Sequence, residues 1–268
     1  IGGIIVVGLL FLLAPAPVKQ LIFGLLGGGG GAVVQDQPGK VGAPTDQTGD
    51  HLAAVLGSTE DVWSKLFAEG KLAHYGFNGR EYTSTTLVPF DNRVATGCGS
   101  APSAVGPFYC PADKKVYIDP TFFTELKNRF QAPGDFAQNY VVAHEVGHHV
   151  QNLIGVADFV GKIRAQGNQA KSNAAQVRME LQADCFAGVW AKNAVDAQGR
   201  PRMEAGDLEE GLNAANAIGD DTLQRQARGY VQPETFTHGS SEQRKRWLRQ
   251  GYETGDPAQC DTFSTDQL

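Results

Sequence analysis

The 268-residue chain carries 23 Lys and Arg against 29 Asp and Glu, a formal net charge of −6, with 41% hydrophobic residues. That acidic balance argues against a nucleic-acid-binding surface. No second linker or internal repeat interrupts residues 51–268, a stretch long enough to bury one good core.

Residues 1–13 are uncharged and nearly all apolar, and the first charge is Lys19. A bilayer span needs ~20 such residues, so the expectation is a membrane anchor over residues 1–26 that is truncated at its N-terminus. A signal-peptide core is the competing reading, although Ala14-Pro15-Ala16 followed by Pro17 is a poor cleavage context. Residues 27–50, rich in Gly, Pro, Asp and Gln, read as a flexible tether. The third unit is a single folded domain over 51–268.

Within that domain, Ser58 is expected to cap a helix running to Leu66 or Phe67, with Val62/Leu66 and Trp63/Phe67 at i, i+4 spacing. Strand candidates are Thr85 to Val88 and Val116 to Ile118. Pro120 opens a helix through Phe130. Asp135 follows a Pro-Gly turn as the N-cap of an apolar helix containing Phe136, Tyr140, Val141, Val142, Val150 and Leu153, with Gly155 as its stop. A further helix starts at Ser172 or Asn173 and ends before Gly199. Asp207 to Ile218 and Ser241 to Tyr252 complete the set, the latter capped by Ser240 with Gln243 at the capping-box position. On that helix, Arg244-Lys245-Arg246 with Arg249 reads as a solvated face. The pattern is α+β, helix-rich, with a small sheet in the N-terminal half.

The chemistry centres on His144-Glu145-Val146-Gly147-His148. At i and i+4 of a helix the two histidines share a face and can aim both imidazoles at one point. Zn²⁺ favours such ligands, and catalytic sites take three protein ligands and leave one position open. Glu145 stands next to the first ligand, in reach of a water. One zinc-peptidase class takes its third ligand from a helix extension with Gly and His; this chain has Gln151 and Ile154 there, which excludes it. The other takes a Glu from a later helix, with an Asp four residues on. Glu180 and Asp184 meet that spacing, so Glu180 is the expected third ligand, with Asp184 accepting the second ring N–H of a ligand histidine. A solvated acidic face is the bland alternative.

Several stretches together resemble the bacterial putative neutral zinc metallopeptidase family, a membrane-anchored group with a gluzincin-like motif. They are Thr59-Glu60-Asp61-Val62-Trp63, Gly106 to Pro111, Val116-Tyr117-Ile118-Asp119, Gly134 to Gln138, the His144 motif, Glu180 to Trp190 and His238-Gly239-Ser240-Ser241. The resemblance spans Thr59 to Phe263 and implies a zincin-like metallopeptidase fold acting on peptide or protein substrates. In such folds an edge strand borders the cleft; Val116-Tyr117-Ile118 is the candidate, an interior strand the equal alternative.

The remaining expectations follow from single residues. Four cysteines behind an anchor suggest an oxidising compartment and two disulfides. Of three possible pairings, Cys98–Cys110 and Cys185–Cys260 are expected, and the oxidising compartment makes the extracytoplasmic side of a bacterial cell membrane the expected location. His238 precedes a helix start, whose dipole favours a neutral imidazole; it is a candidate oxyanion donor, with a purely structural role as the alternative. His51, His74 and His149 are not expected to be ligands. The functional expectation is peptide hydrolysis with one Zn²⁺ per chain, Glu145 acting as general base. The alternative is a catalytically silent zinc-binding interaction module of the cell envelope.

Overall fold

In the computed structural model, which describes Gly39 and residues 42–268, the first helix begins well ahead of its expected cap. Helix α1 spans Gln47–Ala68, and its N-cap is Asp46, whose carboxylate accepts a 2.7 Å hydrogen bond from the Gly49 amide. Leu52 and Val55 extend the apolar stripe upstream, so the helix starts inside the segment read as tether. Ser58 lies mid-helix and buried, its hydroxyl accepting from the Trp190 indole at 3.2 Å. The anchor expected over residues 1–26 lies outside the described residues. No helix among the described residues is long and apolar enough to cross a membrane.

Five short strands follow: β1 (Thr86–Pro89), β2 (Arg93–Thr96), β3 (Gly99–Pro102), β4 (Phe108–Cys110) and β5 (Lys115–Ile118). β1, β5 and β4 form one sheet in that order, β5 pairing parallel with β1 and antiparallel with β4. β5 is therefore interior, and the reading of Val116-Tyr117-Ile118 as an edge strand is corrected; the edges are β1 and β4. Burial explains its place. Val116 and Ile118 face the main core while Tyr117 faces a smaller cluster with Val88, Phe90 and Phe108, so both faces of β5 are covered. β2 and β3 form a separate hairpin, tied to β4 by the Cys98–Cys110 disulfide.

Seven more helices complete the α+β domain: α2 (Thr121–Asn128), α3 (Asp135–Leu153), α4 (Val156–Ala165), α5 (Gln169–Asn193), α6 (Asp207–Ala217), α7 (Asp220–Arg228) and α8 (Ser241–Thr254). α4 and α7 are additions to the sequence-based set. α3 is capped at Gly134 rather than Asp135, whose side chain turns back to accept from the Phe136 amide. α5 starts at an Asn168 cap, a turn earlier than Ser172. The Ser240/Gln243 capping box on α8 is present.

Close approach of helices sets the geometry of the interior. A Cβ at Gly251 of α8 would lie 1.9 Å from the Cys185 carbonyl oxygen of α5, and one at Gly188 of α5 would lie 2.1 Å from the Leu248 carbonyl oxygen. The two backbones thus touch, and only glycine permits it. Gly147 of α3 plays a milder form of the same part against Ala183, with a Cβ reaching 3.1 Å. The Cys185–Cys260 disulfide then fastens the C-terminal tail onto α5.

Candidate metal centre

His144 and His148 project from the buried side of α3 toward α5, which returns Glu180 and Asp184. His144 Nε2 lies 3.2 Å and His148 Nε2 3.4 Å from the same oxygen, Glu180 Oε2. One donor atom from each of the three residues falls within 4.8 Å of the others, so the group can hold a metal ion. The donor set also fits zinc. Bonds of ~2.0–2.2 Å in a tetrahedron put neighbouring donor atoms about 3.3 Å apart, matching both separations. Each outer nitrogen is engaged as well: His144 Nδ1 lies 2.8 Å from Asp184 Oδ1, and His148 Nδ1 lies 2.8 Å from Gln151 Oε1. The remaining Glu180 oxygen accepts from Gln176 at 2.6 Å.

Electrostatics point the same way. Burial opposes charge on Glu180, yet the adjoining imidazoles hold it well below the ordinary carboxylate range. Burial likewise opposes a charged His144, but Asp184 and Glu180 on either side push its pKa up to about 9. A cation is thus favoured between these groups, and a divalent ion would replace the proton on Nε2. Glu145 is buried beside them; burial raises its pKa, offset in part by His148 and His144. A carboxylate raised in this way is suited to accept a proton near neutral pH.

The partner that fixes Asp184 was not anticipated. Arg244, read from sequence as part of a solvated face, is 2% exposed and donates from Nε to Asp184 Oδ2 and from Nη2 to Asp184 Oδ1, both at 2.9 Å. It also donates to the Tyr140 hydroxyl at 3.1 Å, which in turn donates to Asp184 Oδ1 at 2.6 Å. Burial would raise the Asp184 pKa, but Arg244 and His144 hold it at about 2. The missed signal is periodic. Arg244, Trp247, Leu248 and Gly251 occupy one stripe of α8, so Arg244 sits on the helix's inward side while Lys245 and Arg246 do not.

His238 belongs to a different group. Its Nδ1 lies 3.2 Å from Asp220 Oδ1, and Asp220 Oδ2 accepts from the backbone amides of Thr237, His238 and Gly239. Burial lowers the His238 pKa, but the Asp220 charge and hydrogen bond, with a contribution from Glu180, raise it overall. Asp220 thus works against the neutral imidazole expected from the helix dipole, shifting His238 toward its protonated form. His149 is fully buried, donating to the Thr83 carbonyl at 2.6 Å with Tyr109 on its other nitrogen. His74 pairs with Asp261 at 2.9 Å.

Comparison with known proteins places these residues in a group. The model of the family described as Putative neutral zinc metallopeptidase matches residues 1–263. The Escherichia coli (strain K12) relative, "Uncharacterized protein YpfJ", is 49% identical over 218 residues, 81% of this chain and 72% of that protein. "Uncharacterized protein Mb2605" of Mycobacterium bovis is 49% identical over 195 residues, 70% of this chain and 65% of its own. No solved structure matches.

Proposed function

Since the chain belongs to the putative neutral zinc metallopeptidase family, we propose that it hydrolyses peptide bonds with one zinc ion held by His144, His148 and Glu180. The observation that carries this reading is the convergence of both Nε2 atoms on one Glu180 oxygen at 3.2 and 3.4 Å. Zinc in such a place supplies Lewis acidity that polarises the scissile carbonyl and acidifies water. Glu145 takes the proton of the attacking water and returns it to the leaving amine, which needs no covalent intermediate. Asp184 accepts the Nδ1 proton of His144, so that the ring offers its other nitrogen inward. His238 is the proposed donor to the developing oxyanion, its ring oriented by Asp220 through Nδ1.

On the same reading the domain works as an endopeptidase on peptide or protein substrates, outside the cytoplasm and behind a single-pass anchor in residues 1–26. Two disulfides support an oxidising compartment.

Elemental analysis of the purified chain and turnover of unstructured protein by its Glu145→Gln variant provide the test. The expected result is about one zinc per chain in both proteins, with turnover reduced by roughly 10²–10⁴ in the variant. Absence of zinc from well-folded protein would overturn the reading. Zinc retained with no turnover by the parent would leave a silent zinc-binding module.

A further inference from the structure

We infer that Gln151 is a positioning residue for His148, and that its own orientation is dictated from the disulfide-bound tail through Gln182. The inference rests on the zinc site proposed above and extends it to how the second histidine is held.

The argument follows the direction of each hydrogen bond. The Cys260 carbonyl can only accept, and Gln182 Nε2 donates to it at 3.1 Å. The Gln182 side-chain oxygen must therefore face the other way, where it accepts from Gln151 Nε2 at 3.0 Å. The same Gln151 nitrogen donates to the Met179 carbonyl at 2.7 Å, a second partner that can only accept. With its nitrogen committed twice, Gln151 must present its oxygen to His148 Nδ1, 2.8 Å away. His148 Nδ1 then carries the ring proton, and the lone pair is left on Nε2, the atom directed at Glu180. Both glutamines are 0% exposed, so reversing either amide would oppose like groups away from bulk solvent. The tautomer of His148 is thus set by two backbone carbonyls. One of them, on Cys260, is covalently joined to α5 beside the site. The two histidines also differ in kind: His144 leans on a carboxylate already neutralised by Arg244, whereas His148 leans on a neutral amide that adds no charge to the pocket.

The test is the zinc dissociation constant of the purified full chain, measured by competition with a chromogenic chelator. The melting temperature of the metal-free protein and the visible spectrum of the cobalt-loaded protein are recorded alongside. Gln151→Met is expected to weaken zinc binding 10–100-fold and to alter the cobalt spectrum. Gln182 bonds to Gln151 and the Cys260 carbonyl rather than to any of the three ligands; Gln182→Met is expected to weaken binding by about threefold or more through the same relay, and it decides the matter if Gln151→Met does not fold. Zinc affinities within about twofold of the parent in folded variants, whatever their melting temperatures, would overturn the relay. A parent chain that binds no zinc would instead overturn the metal site itself, so the two failures are distinguishable.

Discussion

Replacing Arg244 with methionine keeps most of the side-chain volume and removes the guanidinium from Asp184, which is 0% exposed and held by two 2.9 Å hydrogen bonds. Exposed ion pairs contribute about 0–1 kcal/mol. Removing one partner of a buried pair strands the other charge and costs about 3–5 kcal/mol. The expected loss for Arg244→Met lies in the second range, a fall in melting temperature of roughly 6–20 °C for a domain of this size. Chemical denaturation of the metal-free protein measures it without a contribution from bound zinc. Adding Asp184→Asn to Arg244→Met should restore part of the loss, because the stranded charge is gone. The pH dependence follows from the same pair. Asp184 titrates at about 2 in the folded protein against an ordinary 3.8. Its contribution is therefore present above about pH 4 and lost as pH falls toward 2; in Arg244→Met that acid-side loss should shrink. A cost below about 1 kcal/mol, the range of exposed pairs, with no gain from Asp184→Asn, would refute the assignment of Arg244 as the buried counter-ion.

Two further outcomes are expected. Removing the Cys185–Cys260 disulfide, which closes a 75-residue separation, should cost about 4 kcal/mol in the chain-entropy estimate, against about 3 for the 12-residue Cys98–Cys110 loop; equal losses in denaturant titrations would contradict that ranking. Gly251→Ala would place a methyl carbon 1.9 Å from the Cys185 carbonyl oxygen, where backbone rather than a flexible side chain must yield. About 3 kcal/mol or more is the expected cost, and a variant as stable as the parent would show that α5 and α8 are not in backbone contact.

The parts of the site that local spacing encodes were legible: His144 with His148, and Glu180 with Asp184, are each a single helical turn, and a turn is a short-range property of sequence. Arg244 and Gln151 were not, for a physical reason. A charged or amide side chain looks the same on a solvated face and in a saturated interior until its partner is known, and those partners lie 60 residues away for Arg244–Asp184 and 31 for Gln151–Gln182. The stripe shared by Arg244 with Trp247, Leu248 and Gly251 was the available clue. Strand order escaped similarly, since β1 and β5 pair in parallel across an intervening hairpin and only the completed sheet reveals which strand is interior. Helix α4 was hidden by Gly155, read as a stop; it ends one helix with φ 85° and immediately precedes the next. Asp220 begins a short polar helix, and nothing local announces that its carboxylate gathers the amides of Thr237 to Gly239.

The order in which the contributing residues occur along the chain has a consequence during translation. By the time α5 has left the ribosome, both histidines, Glu145 and Glu180 have been made. Asp184 then still lacks Arg244, and Gln182 still lacks the Cys260 carbonyl. The outermost supports of the pocket are thus synthesised after the groups they hold in place. On the proposed function, the pocket would lack the Asp184 counter-ion and the Gln182 acceptor until α8 and the Cys260 segment had followed α5 out of the ribosome.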